Sequence, residues 1–139
     1  MTLERSENGG KRKDQMPKSI LIIDDDVEVA ETCARVLKAS GFRCAVVFDL
    51  TSALALFDML QPALVLSDIN LPVGDGYEIV RHVQKTAPGT PVILMTGFDG
   101  PLAGERALRA GAAAYLRKPF SNSELISNVR GLISQDGNA

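Results

Sequence analysis

The sequence is short of several features that would settle a function class at once. It holds only two cysteines in 139 residues, Cys33 and Cys44. Each lies within an apolar pattern and neither has metal-ligand spacing, which excludes a disulfide framework or a zinc module. Both read as reduced core residues of a cytoplasmic protein. No apolar run approaches the roughly 20 residues of a membrane span. The first residues, with Glu4, Arg5, Glu7, Lys11, Arg12 and Lys13, have no apolar centre and so are not a signal peptide. There is no basic excess either. The formal net charge is -2, which argues against direct nucleic-acid binding. No internal repeat or linker is visible, so the chain is expected to be one domain, large enough for a core without staples.

What is present is an ordinary globular composition, 45% hydrophobic and 23% charged. Residues 1–17 are polar and aperiodic and are expected to be a disordered tail, with Lys11-Arg12-Lys13 solvated. Residues 18–134 form the domain, and residues 135–139 form a short C-terminal tail. Within the domain, five short apolar runs alternate with five segments of helical spacing. The runs are Ser19 to Ile23, Cys44 to Phe48, Ala63 to Asp68, Val92 to Met95 and Ala113 to Arg117. The first helix turns Ala30, Cys33, Ala34 and Leu37 inward and stops at Gly41. The second turns Ala53, Leu54, Phe57 and Leu60 inward and closes at Pro62. The third, Gly76 to Ala87, turns Ile79, Val80 and Val83 inward. The fourth runs from about Leu102 to Ala110. The last carries Leu125, Ile126, Val129, Leu132 and Ile133, with Ser121 and Glu124 at capping-box spacing. Such alternation predicts an α/β domain with a parallel sheet and helices on both faces. The pattern does not fix the strand order.

The centre of the chain is Leu64-Val65-Leu66-Ser67-Asp68-Ile69-Asn70-Leu71-Pro72, an apolar run that stops at a carboxylate. Other strands also end in polar chemistry. The first ends at Asp24-Asp25, the fourth at Thr96 and the fifth at Lys118. In a parallel sheet these ends share one rim, where α/β folds bind ligands. Three carboxylates would therefore converge. At an effective dielectric near 20, one pair about 4 Å apart costs about 4 kcal/mol. They must share protons, recruit Lys118 or bind a hard divalent cation such as Mg²⁺. The backbone carbonyl of Asn70 is a candidate further ligand. A carboxylate beside Mg²⁺ is a candidate nucleophile toward phosphorus, with Lys118 and the Thr96 hydroxyl placed to meet phosphoryl oxygens.

The motifs Ile23-Asp24-Asp25-Asp26, Ser67-Asp68-Ile69-Asn70-Leu71-Pro72 with Asp75-Gly76, Met95-Thr96-Gly97 and Tyr115-Leu116-Arg117-Lys118-Pro119-Phe120 occur in that order. Together they resemble the receiver domain of two-component response regulators. The resemblance covers about residues 18–134. It implies a flavodoxin-like, doubly wound sheet of order 2-1-3-4-5. It makes Asp68 the phosphoacceptor, Asp25 the direct metal ligand and Asp24 a water-mediated one, with Asn70 as the carbonyl ligand. Thr96 and Lys118 become the phosphate-contacting residues, Tyr115 the aromatic switch residue and Lys118–Pro119 a cis bond. The implied donor is a sensor histidine kinase or a histidine phosphotransfer protein, with Mg²⁺ as cofactor. The resemblance also implies slow autodephosphorylation, with no separate turnover substrate. A downstream partner is expected on the face of the fourth helix, fifth strand and fifth helix. The chain ends soon after the last helix, so a standalone receiver is expected. The alternatives are a receiver excised from a larger regulator or hybrid kinase, and a Mg²⁺-dependent phosphohydrolase. The hydrolase reading lacks a general acid near the motifs, since the only histidine, His82, lies in the third helix and reads as a partly exposed helix residue. Phe98 and Phe120 read as packing.

Overall fold

Each apolar run becomes a strand and each periodic segment a helix. The computed structural model describes residues 16–97 and 100–133. Expectations for residues 1–15, for Phe98 and for residues 134–139 fall outside the described residues. In chain order the elements are β1 (Ser19–Ile23), α1 (Val27–Ala39), β2 (Arg43–Val47), α2 (Leu50–Leu60), β3 (Leu64–Asp68), α3 (Gly76–Thr86), β4 (Val92–Thr96), α4 (Ala103–Arg109), β5 (Ala114–Arg117) and α5 (Asn122–Leu132). All strand pairs are parallel, and the sheet order is β2-β1-β3-β4-β5.

The three central strands are buried on both faces, which is why they read as continuous apolar runs rather than alternating ones. Successive β1 residues point to opposite layers. Leu21 and Ile23 join Val65 and Leu94 beneath α2 and α3, against Ala53, Phe57, Ile79, Val80 and Val83. Ile20 and Ile22 join Leu66, Ile93 and Met95 beneath α1 and α5, against Ala30, Cys33, Leu37, Leu125 and Val129. Each fully buried Leu, Ile or Val contributes about 1.5–3 kcal/mol, so the two layers dominate the stability of the fold.

Local sequence fixes the helix ends. The Asp26 carboxylate caps α1 by accepting from the Glu28 and Val29 N–H groups. Asp49 caps α2 through Ser52, and Asp75 caps α3 through Tyr77 and Glu78. The hydrogen bonds from Ser52 hold the Asp49 carboxyl below its ordinary pKa. Ser121 and Glu124 form the reciprocal capping box of α5. Each such cap contributes about 1 kcal/mol.

Two inward assignments, Leu60 and Leu132, fall at helix ends where burial is incomplete. Leu54 is partly buried and packs against the layer beneath α2 and α3, Leu50 is buried with it, and Leu60, the last residue of α2, is only partly buried. Leu132 is exposed in the final turn of α5, where no further element covers it among the described residues, whereas Ile133, in extended backbone at the helix end, still packs against the α1–α5 layer. Strand β2 ends at Val47, the last residue in register with β1, which leaves Phe48 exposed. No helix of the described residues is long and apolar enough to cross a membrane.

Candidate functional site

Sheet register assembles the site. Ile23 pairs with Ser67, so Asp24 and Asp68 follow side by side at the ends of β1 and β3. Asp68 pairs with Met95, so Thr96 stands one step beyond it on β4. Thr96 pairs with Arg117, so Lys118 stands one step beyond that on β5. Residues far apart in sequence thus meet on one rim within a single residue step of their neighbours.

The carboxylates of Asp24, Asp25 and Asp68 each offer an oxygen, and the three lie within 4.8 Å of one another. Asp24 is completely buried and Asp68 is 7% exposed, whereas Asp25 faces solvent. The Lys118 ammonium bridges the two buried acids, 2.8 Å from Asp24 Oδ2 and 3.1 Å from Asp68 Oδ2. The remaining oxygens are held by backbone. The Asp26 N–H donates to Asp24 Oδ1 at 2.9 Å, and the Asn70 N–H donates to Asp68 Oδ1 at 3.3 Å. Burial pushes the Asp68 carboxyl above its ordinary pKa. Lys118 opposes this, while the Asp24 charge adds to it. Burial also works against the Lys118 charge, but hydrogen bonding to Asp24 and the charge of Asp68 more than offset it, leaving that pKa raised.

One ammonium facing three carboxylates leaves a net negative pocket of hard oxygen donors. That donor set fits a divalent cation of the Mg²⁺ type and suits neither soft nor nitrogen-preferring metals.

Thr96 is buried, and its hydroxyl donates to the Gly97 carbonyl over a long 3.5 Å. Its carbonyl accepts from the Lys118 N–H at 2.8 Å, which ties β4 to the following cis Lys118–Pro119 peptide. Behind the site, Gly76 opens α3 directly against β3. A Cβ there would lie 2.5 Å from the Asp68 carbonyl oxygen and 3.0 Å from the Ile69 Cα.

The family model for the response regulator receiver domain matches residues 20–130. The chain belongs to the response regulator receiver family. As a receiver it is 36% identical over 123 residues to the DNA-binding response regulator MtrA of Mycobacterium tuberculosis, a match covering 88% of this chain and 54% of MtrA. It is 34% identical over 122 residues to the transcriptional regulatory protein TrcR of the same organism, covering 88% of this chain and 48% of TrcR. The chain therefore spans about half the length of the curated relatives it matches. Among solved structures it is similar to the receiver domain of NtrX from Brucella abortus, with a TM-score of 0.77 and 31% identity over 82% of this chain and 97% of that one. A response regulator receiver domain protein from Clostridium thermocellum gives a TM-score of 0.79 and 27% identity over 84% and 94%. "DNA-binding" describes the whole MtrA protein, so the absence of nucleic-acid contact expected from net charge does not extend to full-length relatives of this receiver.

The other receiver residues singled out by sequence fall in place away from the acids. Tyr115 lies on the edge strand β5 and is 39% exposed. His82 sits on α3 with Nε2 2.7 Å from Asp58 Oδ1 of α2, its ring edge-on to Phe57. Phe120 packs against the α1–α5 layer and lines a groove of about 540 Å³ between those helices, which also exposes Lys118. Cys33 is buried and Cys44 half-buried, both as free thiols. Sequence reading assigned no role to Asp26, Asp75 or Gly76, although Asp before a helical period and Asp-Gly after a strand are visible cap and close-approach signals. It also assigned none to Gly104, whose contact with Tyr115 has no local sequence signal.

Proposed function

We propose that this receiver takes a phosphoryl group onto Asp68 from a phosphohistidine of a sensor histidine kinase or a phosphotransfer protein. The carrying observation is the buried Asp68 carboxylate, fixed beside two further acids and one shared ammonium. An Asp68 oxygen attacks phosphorus. The histidine N–P bond breaks, and its electron pair stays on the imidazole. Asp24, Asp25, Asp68 and the Asn70 carbonyl would hold Mg²⁺, which neutralises phosphoryl charge when bound. Lys118, already 3.1 Å from Asp68, meets a second oxygen as a point charge. The Thr96 hydroxyl meets a third. The α1–α5 groove opens beside Lys118 and supplies an approach for the donor.

The output is a two-state switch. Thr96 moves toward the phosphoryl group, and Tyr115 on the neighbouring strand turns inward. The partner surface is then the α4–β5–α5 face. One hydrogen bond to a charged group contributes about 1.5–3 kcal/mol, which moves a 1:10 equilibrium to about even or beyond without saturating it.

Acetyl phosphate with Mg²⁺ should give a single base-labile label, lost in Asp68→Asn. With beryllofluoride, NMR shifts should spread from the rim to residues 102–132 in the wild type and stay at the rim in Thr96→Ala. Full labelling of Asp68→Asn would refute the phosphoacceptor assignment. Shifts confined to the neighbours of Asp68 in the wild type would refute the switch and leave a phosphate sink.

A further inference from the structure

Strand β5 passes beneath α4 where the helix has no side chain. Leu116 turns into the α1–α5 layer, so its neighbour Tyr115 faces the opposite, α4 side. On α4, Ala103, Gly104 and Ala107 are buried. A Cβ added at Gly104 would overlap the far end of the Tyr115 ring, meeting Cζ, Cε1 and the hydroxyl oxygen. The phenol therefore rests on bare helix backbone. Gly104 itself has no positive φ, so helix geometry does not require glycine there. The ring does.

Next to the ring is a crevice bounded by Thr96, Gly97, Gly100, Pro101 and Arg117, of about 10 Å³. That is room for one water at most, so the ring cannot enter while Thr96 and Gly97 hold their positions. Besides solvent, which the 39% exposed side chain already reaches, the packed places for Tyr115 are the seat on Gly104 and, in the proposed switch, an inward position opened when Thr96 moves.

We propose that Gly104 is a positioning residue that seats Tyr115 in its resting place, so that the missing side chain on α4 holds the switch toward its unphosphorylated state. This rests on the Thr96–Tyr115 switch proposed above. An alanine at position 104 would drive the ring off its seat and favour the inward place without phosphorylation.

Two measurements on Gly104→Ala test this, each made with Tyr115 present and the first also in the Tyr115→Ala background. The first is thermal unfolding. Alanine is the better helix former, so with the ring absent the substitution should raise Tm by about 2–4 °C. With the ring present it should lower Tm by a similar amount. An equal rise in both backgrounds overturns the seat. The second is ¹⁹F NMR of fluorotyrosine, where only Tyr77 and Tyr115 report. In unphosphorylated Gly104→Ala the Tyr115 signal should move at least halfway to the wild-type beryllofluoride position. An unmoved signal, or one at the free-tyrosine position, overturns the proposal. If wild-type Tyr115 ignores beryllofluoride, the switch itself fails, and the sign reversal in Tm still reports on the seat.

Discussion

Replacing Lys118 with methionine removes the charge and keeps the aliphatic bulk. Its ammonium lies 2.8 Å from Asp24 and 3.1 Å from Asp68, attractions of about 6 and 5 kcal/mol at an effective dielectric near 20. The two acids repel by about 3.5 kcal/mol or more, since their oxygens approach within 4.8 Å. The sum overstates the loss, because the variant no longer desolvates an ammonium. Breaking buried pairs costs about 3–5 kcal/mol, and Lys118 keeps 22% of its side chain in water, so the low end applies. Urea unfolding at pH 7 in EDTA should show Lys118→Met less stable by about 3 kcal/mol. Adding Asp24→Asn should return most of that, because it removes one of the two charges left facing each other. Mg²⁺ should stabilise the single variant more than the wild type. The pH sign follows from Asp68, whose folded pKa is raised. Lys118 opposes that rise, so the variant's Asp68 pKa is raised further. The stability tied to the protonated acid is fully present below the ordinary carboxylate pKa and lost as pH rises through the folded value. Acidification therefore restores more stability to the variant and should narrow the gap between variant and wild type. A loss below about 1 kcal/mol, with no recovery on adding Asp24→Asn, would refute the view that Lys118 is the internal counter-ion of the site.

Two other expectations follow from packing and burial. Gly76→Ala places a Cβ against the Asp68 carbonyl and Ile69 Cα, backbone atoms at the end of β3 that cannot swing aside as a side chain can. Unfolding should show a loss of about 1–3 kcal/mol, and acetyl phosphate labelling of Asp68 should slow, whereas labelling at the wild-type rate would contradict the close approach. The Cys33 and Cys44 thiols are pushed up to about 11, chiefly by burial. Their contribution to stability is complete below about 9 and lost as pH rises toward 11, so Tm should fall over that window and fall less in Cys33→Ala/Cys44→Ala.

Most of the fold was legible because burial and chemistry change abruptly at the strand ends. Ile20 to Ile23 and Leu64 to Leu66 are apolar without interruption and stop at carboxylates, and the structure buries every one of these apolar residues. The four inward residues of α1 are those its spacing indicated. Strand order was not legible from periodicity, because strands covered on both faces carry no mark of which neighbour they pair with. It followed only from the resemblance to receivers. Within the site, the identity of the acids was readable, but the sharing of Lys118 between Asp24 and Asp68 was not. Sharing depends on register across β1, β3, β4 and β5, which no local pattern encodes. The Gly104 seat was hidden for a similar reason. A glycine in a short alanine-rich helix reads as a weak helix position, and only the strand passing beneath it gives it a role.

The same register gives the proposed switch its route from Asp68 to α4. Asp68 is fixed opposite Met95, so a phosphoryl group there lies next to Thr96. The Thr96 carbonyl holds the Lys118 N–H at 2.8 Å, so β4 and the end of β5 move as one unit or break that bond. Tyr115 lies three residues before Lys118 and rests on α4. Between Thr96 and the ring is space for one water, too little for gradual rearrangement. In the proposed switch the ring therefore occupies one of two places rather than a continuum, because close-packed contacts change by discrete exchange of neighbours. In that switch, the position of Thr96 decides whether the inward place exists for Tyr115. The partner surface proposed on α4 and β5 would read that choice through a ring that is already partly exposed.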